Sequence, residues 1–432
     1  MTGMRAKGER FTFEELLPPW TPSTNDIMDL IESAASQLKQ LTGTITNRPS
    51  RYWRGPRWPA TNSVGWAETN LFSATGGAFE WEAFGSRAAQ VQGVVRGLRA
   101  ALRNPPSDTG LDYSQPNSRL NFVAKREVAQ RLFDLTVYEL HNRNLTNAHE
   151  NLRALIGLAR LHSEDRTLSG QMIRSAIEGL AVDAMRNALS AQGWTDEQLA
   201  DLQGDLTRLS IFKELAAAFQ VERARGLRFF EAIRQDPAGP NMSGAPVGGK
   251  GSELIDRIPF YVWRRLWSEQ DGLLYLRVMQ QEIDCLRGLD RTHSFAEWAL
   301  ELNAANDRIE RQRQSPIQFG HWWSSLALGN YRRVFENVVR NETWRQLAVA
   351  AIAIERHKLR HGKPPERLSD LQPEFLSELP VDCYDGRPLR FRLHAGGEFD
   401  LYSVGENFRD DGGSGPLDFV WPKPLWPAAA AK

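Results

Sequence analysis

Leu347-Ala348-Val349-Ala350-Ala351-Ile352-Ala353-Ile354-Glu355-Arg356-His357-Lys358-Leu359-Arg360-His361-Gly362-Lys363-Pro364-Pro365 is the stretch that decides the reading of this chain. It closes a long helix that begins at about Leu326 or Tyr331. Val334, Val338, Leu347, Ala351 and Ile354 give that helix one buried stripe. Gly362 supplies a left-handed C-cap, and the prolines beyond cannot continue a helix. Past this point the period changes. Leu389 to Leu393 alternates with arginines, Phe399 to Val404 is apolar and aromatic, and Ala395-Gly396-Gly397 joins them as a β-hairpin.

Upstream, helical spacing dominates from about Ser86. Ile27, Leu30, Ile31, Ala34, Leu38 and Leu41 form an earlier stripe, with Thr24 or Asn25 as its cap. Val91, Val94, Val95, Leu98 and Leu102 form the next. Val123, Val128, Leu132, Leu135 and Leu140 follow, and then Leu152, Leu155, Ile156 and Leu158. A helix over Leu168 to Leu189 precedes Thr195 and Gln198, which fit a capping box. Ile211 to Ile233 continues the pattern, and helices resume over Pro259 to Gly288 and Ser294 to Gln312. No fixed-period repeat is present.

The expected fold is therefore mainly α, a helical bundle or irregular α-solenoid with a small C-terminal α+β module. Residues 1–25 read as an extended arm, because Pro18, Pro19 and Pro22 oppose helix. An N-terminal helical domain covers 26–235, and the Pro/Gly segment 236–252 links it to a second helical segment over 253–361. The β module spans 362–418, and a disordered tail is expected over 419–432.

The chain has 432 residues, 41% hydrophobic, with 53 basic and 53 acidic side chains. That length suits two or three packed units. Zero net charge speaks against a general nucleic-acid binder, which needs a basic excess. No run of about 18 apolar residues suggests a membrane helix, and residues 1–13 have no signal-like apolar core. Cys285 and Cys383 stand too far apart in sequence, with no companion ligands, to suggest a disulfide framework or a zinc site.

Motifs that carry chemistry are sparse. Gly244-Ala245-Pro246-Val247-Gly248-Gly249-Lys250 approaches a phosphate loop, but Gly251 replaces the magnesium-binding hydroxyl and no strand precedes it. It reads as linker. His357 and His361 have chelate spacing, yet Lys358 stands where a metalloprotease has Glu, so a basic helix end complementing the dipole is the expectation. Arg51-Tyr52-Trp53-Arg54-Gly55-Pro56-Arg57-Trp58 interleaves cations and rings, which makes Trp53, Arg54, Arg57 and Trp58 a candidate ligand or partner surface. His321-Trp322-Trp323 reads as a buried cluster at a helix start. No nucleophile–base set emerges, and no catalytic residue is assigned.

Residues 350–413 resemble the globular end of the major pseudopilin of type II secretion systems. The likeness rests on the helix ending in His361-Gly362-Lys363-Pro364-Pro365, on Leu368 to Leu371, and on Leu379-Pro380-Val381-Asp382. It continues through Asp385-Gly386-Arg387-Pro388-Leu389-Arg390-Phe391-Arg392, Glu398 to Gly405 and Asp410-Asp411-Gly412-Gly413. The whole chain is similar to a group of bacterial helical proteins that combine Lys7-Gly8-Glu9-Arg10 and Pro18-Pro19 with this ending. The prepilin cleavage motif is absent, so pseudopilus assembly by the usual route is not implied. The resemblance implies a calcium loop, with Ser403, Asn407, Asp410 and Asp411 as oxygen donors and Arg409 opposing the cation. An exposed acidic turn is the alternative.

Taken together, these features lead to the expectation of a non-enzymatic scaffold or protein-interaction component of a bacterial secretion or envelope system. It would have a protein partner and no nucleic acid. It would be envelope-associated or periplasmic, reaching a membrane only through an anchor absent from this chain. The alternative is a carbohydrate or peptidoglycan-fragment binding protein or hydrolase with a cleft in the helical body.

Overall fold

The computed structural model describes residues 2–17, 26–44, 81–113, 120–235, 258–313, 324, 328, 331–413 and 418–421. The aromatic–arginine run at 51–58, the linker at 236–252 and His321-Trp322-Trp323 lie outside them, as does the tail beyond 421.

The first helices are short: α1 (Thr2–Arg5) and α2 (Phe13–Leu16) precede α3 (Asp26–Leu38). The next set comprises α4 (Trp81–Gln90), α5 (Gln92–Ala101), α6 (Phe122–His141), α7 (Leu145–Arg160), α8 (Leu168–Ala188) and α9 (Asp196–Thr207). Then come α10 (Phe212–Gln235), α11 (Ile258–Leu266), α12 (Ser268–Thr292), α13 (Phe295–Arg313) and α14 (Arg332–His361). The helix starts follow local chemistry. Asn121, Asn144 and Thr167 each accept an amide of the first turn, and Thr195 with Gln198 forms the expected reciprocal box. Gly362 ends α14 at φ 72°, a conformation that glycine adopts without steric penalty.

These helices enclose two apolar cores. The first gathers α3 to α9 and the second gathers α10, α12 and α13. Helix α14 serves both. Phe335, Val338 and Val339 belong to the second core, while Leu347 to Ile354 belong to the first. All eight residues from Leu347 to Ile354 are buried. The helix is thus surrounded over two turns rather than amphipathic, and its alanines admit close neighbours. The expectation of one stripe gives way because α8, α9 and the C-terminal module enclose it from several sides.

Between the two cores lies a buried ionic cluster. Arg345 pairs with Glu342 along α14 and donates to the Leu206 carbonyl (3.0 Å). Arg174 pairs with Glu178 on α8 (3.2 Å) and donates to the Ser210 carbonyl (2.6 Å). Asn341 donates to both the Ser175 carbonyl and its hydroxyl (2.9 Å each). These contacts tie α14 to α8 and to the residues joining α9 and α10.

The C-terminal module is an antiparallel sheet of β1 (Arg390–Leu393), β2 (Phe399–Ser403) and β3 (Phe419–Val420), in order β1-β2-β3. The register pairs Arg390 with Tyr402 and Leu393 with Phe399, and Gly396 and Gly397 turn the chain at positive φ. Asp382 organises the module from within. Its carboxylate accepts from Tyr384 N, Ser403 Oγ, Val404 N and Arg390. Leu371, Leu401 and Trp421 join the first core, and Cys383, Tyr384 and Val404 join the second. The Cys383 and Tyr384 carbonyls also accept the first amides of α13. The module therefore contributes to both cores.

Other expectations change as well. Residues 2–17 are not a uniformly extended arm, because α1 and α2 form and Thr12 and Glu15 make a full capping box, while Pro18, Pro19 and Pro22 lie outside the described residues. The expected tail yields Phe419 and Val420 to β3, where Phe419 stacks on Trp344 of α14 (centroids 5.3 Å, 7°). Val123, assigned to a buried stripe, is 79% exposed. Helix α10, placed with the N-terminal domain, packs on α12 in the second core.

Two predictions follow from burial. Leu347→Asp places a carboxylate among apolar neighbours, at a cost on the order of 3–5 kcal/mol. The cooperative melt should be lost or fall by many degrees; an unchanged melt refutes the enclosure of α14. Glu282 of α12 lies in the second core with neither carboxylate oxygen hydrogen-bonded. Burial pushes its pKa from 4.5 up to about 8. The folded state then holds this proton more tightly than the unfolded state. The penalty is absent below pH 4.5, grows up to about pH 8 and is constant above. Glu282→Gln should therefore raise Tm clearly at about pH 9 and little at about pH 4; an equal effect at both counts against an uncompensated acid.

Candidate functional site

A concave region lies where α10, α12 and α13 meet the turn before α8. It is an open cleft of about 700 Å³, inside the range of small-ligand sites. Helix α10 contributes Lys213, Ala216, Ala217 and Gln220, and α12 contributes Asp284, Arg287, Asp290 and Arg291. Trp298 of α13 and Arg166 complete the wall. The indole can lie against α12 because position 288 is glycine. A Cβ there would fall 2.1 Å from Trp298 Cζ2, so only glycine admits the ring.

The cations differ in their commitments. Arg166 pairs with Glu214 (3.1 Å), and Arg287 pairs with Glu9 and, at 3.5 Å, with Asp284. Lys213 and Arg291 have no carboxylate partner among the described residues. Among the described residues Arg291 donates to the Arg287 carbonyl alone. A recess of about 360 Å³ continues past Arg166, Ala217 and Gln220 to Gly8, Arg10 and Leu16.

That recess is bounded by the N-terminal segment, which straps across α10 and α12. Glu9 reaches Arg223 (3.2 Å) and Arg287. Arg223 is fully buried and also donates to the Arg10 carbonyl (2.5 Å) and to Gln280. Its guanidinium stands 4.5 Å from the centroid of the buried Phe11 ring. Burial opposes ionisation of Glu9, yet Arg287 and Arg223 hold its carboxyl below the usual range. Glu9 and Phe11 of this segment are thus a carboxylate and a ring bound in cis, flanked by the cations Lys7 and Arg10.

Behind Arg166 lies a buried polar group that the sequence reading missed. Lys125 donates to the Leu161 carbonyl (2.9 Å), and burial pushes its pKa down to about 8. Asp165 accepts from Thr167 N (2.8 Å) and the Tyr113 hydroxyl (3.3 Å), and burial raises its pKa. His162 takes φ 59° with neither ring nitrogen hydrogen-bonded. Burial, aided by Lys125, lowers its pKa to about 3, which keeps it neutral. A lysine at 125, between Ala124 and Val128 on an apolar face, was the available signal.

The expected site residues fall into separate places. Ser403 is buried and donates inward to Asp382 (2.8 Å), while Asn407 donates to Asp411 (2.8 Å). Asp410 accepts from the Tyr402 hydroxyl and Gly412 N (3.0 Å each). Ser403 is thus turned away from the acidic turn, and the other three close that turn on itself. The rings of His357 and His361 lie 4.4 Å apart, but His357 contacts the Lys363 carbonyl and His361 lies 3.5 Å from Glu374. Among the described residues no group of three or more His, Cys, Asp or Glu side chains is placed to hold a metal. Burial raises both thiols, Cys285 and Cys383, far from thiolate formation. Trp53, Arg54, Arg57 and Trp58 lie outside the described residues.

Comparison with family models, with curated proteins and with solved structures finds no match to this chain. No helix among the described residues is long and apolar enough to cross a membrane.

Removing Glu9 leaves Arg223 buried without its carboxylate. Glu9→Ala should cost about 3 kcal/mol or more and open the segment around Arg10 to trypsin in the native state. A native-like melt with unchanged proteolysis would show that the strap is not held by this pair.

Proposed function

We propose that this chain is a non-enzymatic interaction component of a bacterial secretion or envelope system. The helical trunk meets a protein partner, and the C-terminal module, similar to a pseudopilin end, docks or caps. The observation that carries this reading is the groove between α10 and α12, which holds the Glu9 carboxylate and the Phe11 ring beside an open charged cleft. A surface already built to recognise side chains of an extended segment suits a binding role. The order of long helix, 3₁₀ turn (Leu368–Leu371) and antiparallel strands supports the pseudopilin part.

The alternative, a carbohydrate or peptidoglycan-fragment binding protein or hydrolase, draws on Trp298, whose indole offers a stacking face in the cleft. Hydrolysis draws less support. Asp284 and Asp290 both stand on α12, and Asp284 is engaged by Arg287, whereas a glycosidase sets two carboxyl groups on either side of the bond it cuts.

Cross-linked capture from detergent-solubilised bacterial envelopes should retain secretion or envelope proteins that an unrelated bait of equal charge does not retain. Recovery of the same proteins by both baits overturns this reading. Release of a soluble sugar from peptidoglycan by the purified chain would replace it with the hydrolase.

A further inference from the structure

We propose that the open cleft beside the strap binds an acidic peptide segment of a protein partner. This rests on the interaction reading above and names the chemistry of the contact. Lys213 and Arg291 project from different helices into one cleft, and neither has a carboxylate partner among the described residues. Arg166 stands at the junction with the recess and Gln220 offers an amide there. Asp290 also lines the cleft, where its carboxylate can accept a backbone amide of a peptide, a donor that an inorganic anion lacks. Trp298, packed close against Gly288, supplies an apolar wall for a side chain or ring.

The choice of a peptide comes from the neighbouring groove. The chain's own Glu9 and Phe11 already lie on Arg223 and Arg287, and the recess joins that groove to the cleft through shared residues Arg166, Ala217 and Gln220. Arg287 faces both. The surface thus holds one carboxylate and one ring in cis, and the cleft extends the same cation-and-apolar chemistry into open space. Two arms of carboxylates can be met at once, one by Lys213 and one by Arg291, which a monovalent ligand cannot do.

The test uses isothermal titration of the full chain at low salt. The probe is a capped pentapeptide with three carboxylates and one phenylalanine. Its amide analogue, with each carboxylate made an amide, and inorganic phosphate serve as competitors. The acidic peptide should bind, the amide analogue should bind at least about tenfold more weakly, and phosphate should fail to displace it. Lys213→Ala with Arg291→Ala should weaken the acidic peptide at least about tenfold with an unchanged melt, since both side chains are exposed. Arg333→Ala, an exposed cation on α14 away from the cleft, should change nothing. No binding by the parent, equal binding by the double variant, or displacement by phosphate at similar concentration overturns the proposal. If the envelope capture succeeds equally with the double variant, this cleft is refuted while the broader reading stands. If capture fails while the peptide binds as described, the broader reading falls and the peptide site remains.

Discussion

The architecture depends on α14 being buried in both halves of its length as it crosses between two cores. Its N-terminal half contributes rings and valines to one core, and its C-terminal half threads small residues through the other. At the crossing the apolar stripe cannot be continuous, because the helix passes from one set of neighbours to another. Arg345, Glu342, Arg174 and Glu178 occupy that boundary. Buried ions are costly unless paired and hydrogen-bonded. Here the arginines also satisfy the carbonyls of Leu206 and Ser210, where α9 ends and α10 begins. The cluster therefore fixes the relative setting of the helices more than it adds net stability.

The C-terminal module depends on the same helix. Asp382 draws the strand ends together, and Trp344 of α14 stacks on Phe419 with Arg186 lying 4.2 Å above the indole. Cys383 and Tyr384 then lend backbone carbonyls to the start of α13. That helix carries Trp298, so the module sets one end of the element that walls the cleft. A route from module to cleft thus runs through backbone hydrogen bonds and one helix.

The cleft owes its character to an imbalance. The strap meets both Arg223 and Arg287 with one carboxylate, Glu9, while Lys213 of α10 and Arg291 of α12 have no carboxylate partner among the described residues. A buried arginine needs its partner, so the strap is a structural element of this fold. The exposed lysine and arginine beyond it have no such need, and their charges face solvent or a ligand.

Much of the helical plan was legible in the residues themselves. The 3–4 spacing of apolar side chains, the Thr195–Gln198 box and the Gly362 stop place α5, α7, α9 and the end of α14, and the Gly396–Gly397 turn marks the hairpin. These are local effects, set by backbone sterics and by hydrogen bonds within a few residues. What tertiary structure alone decided involves partners distant in sequence. Glu9 with Arg223 and Arg287, Trp298 on Gly288, Arg345 on Leu206 and Phe419 on Trp344 are all contacts that periodicity does not encode. The same holds for Val123, apolar yet exposed, and for Glu282, charged in water yet enclosed. A residue's spacing shows which face of its own helix it occupies. What that face meets depends on the packing of the other elements, and so does the cleft.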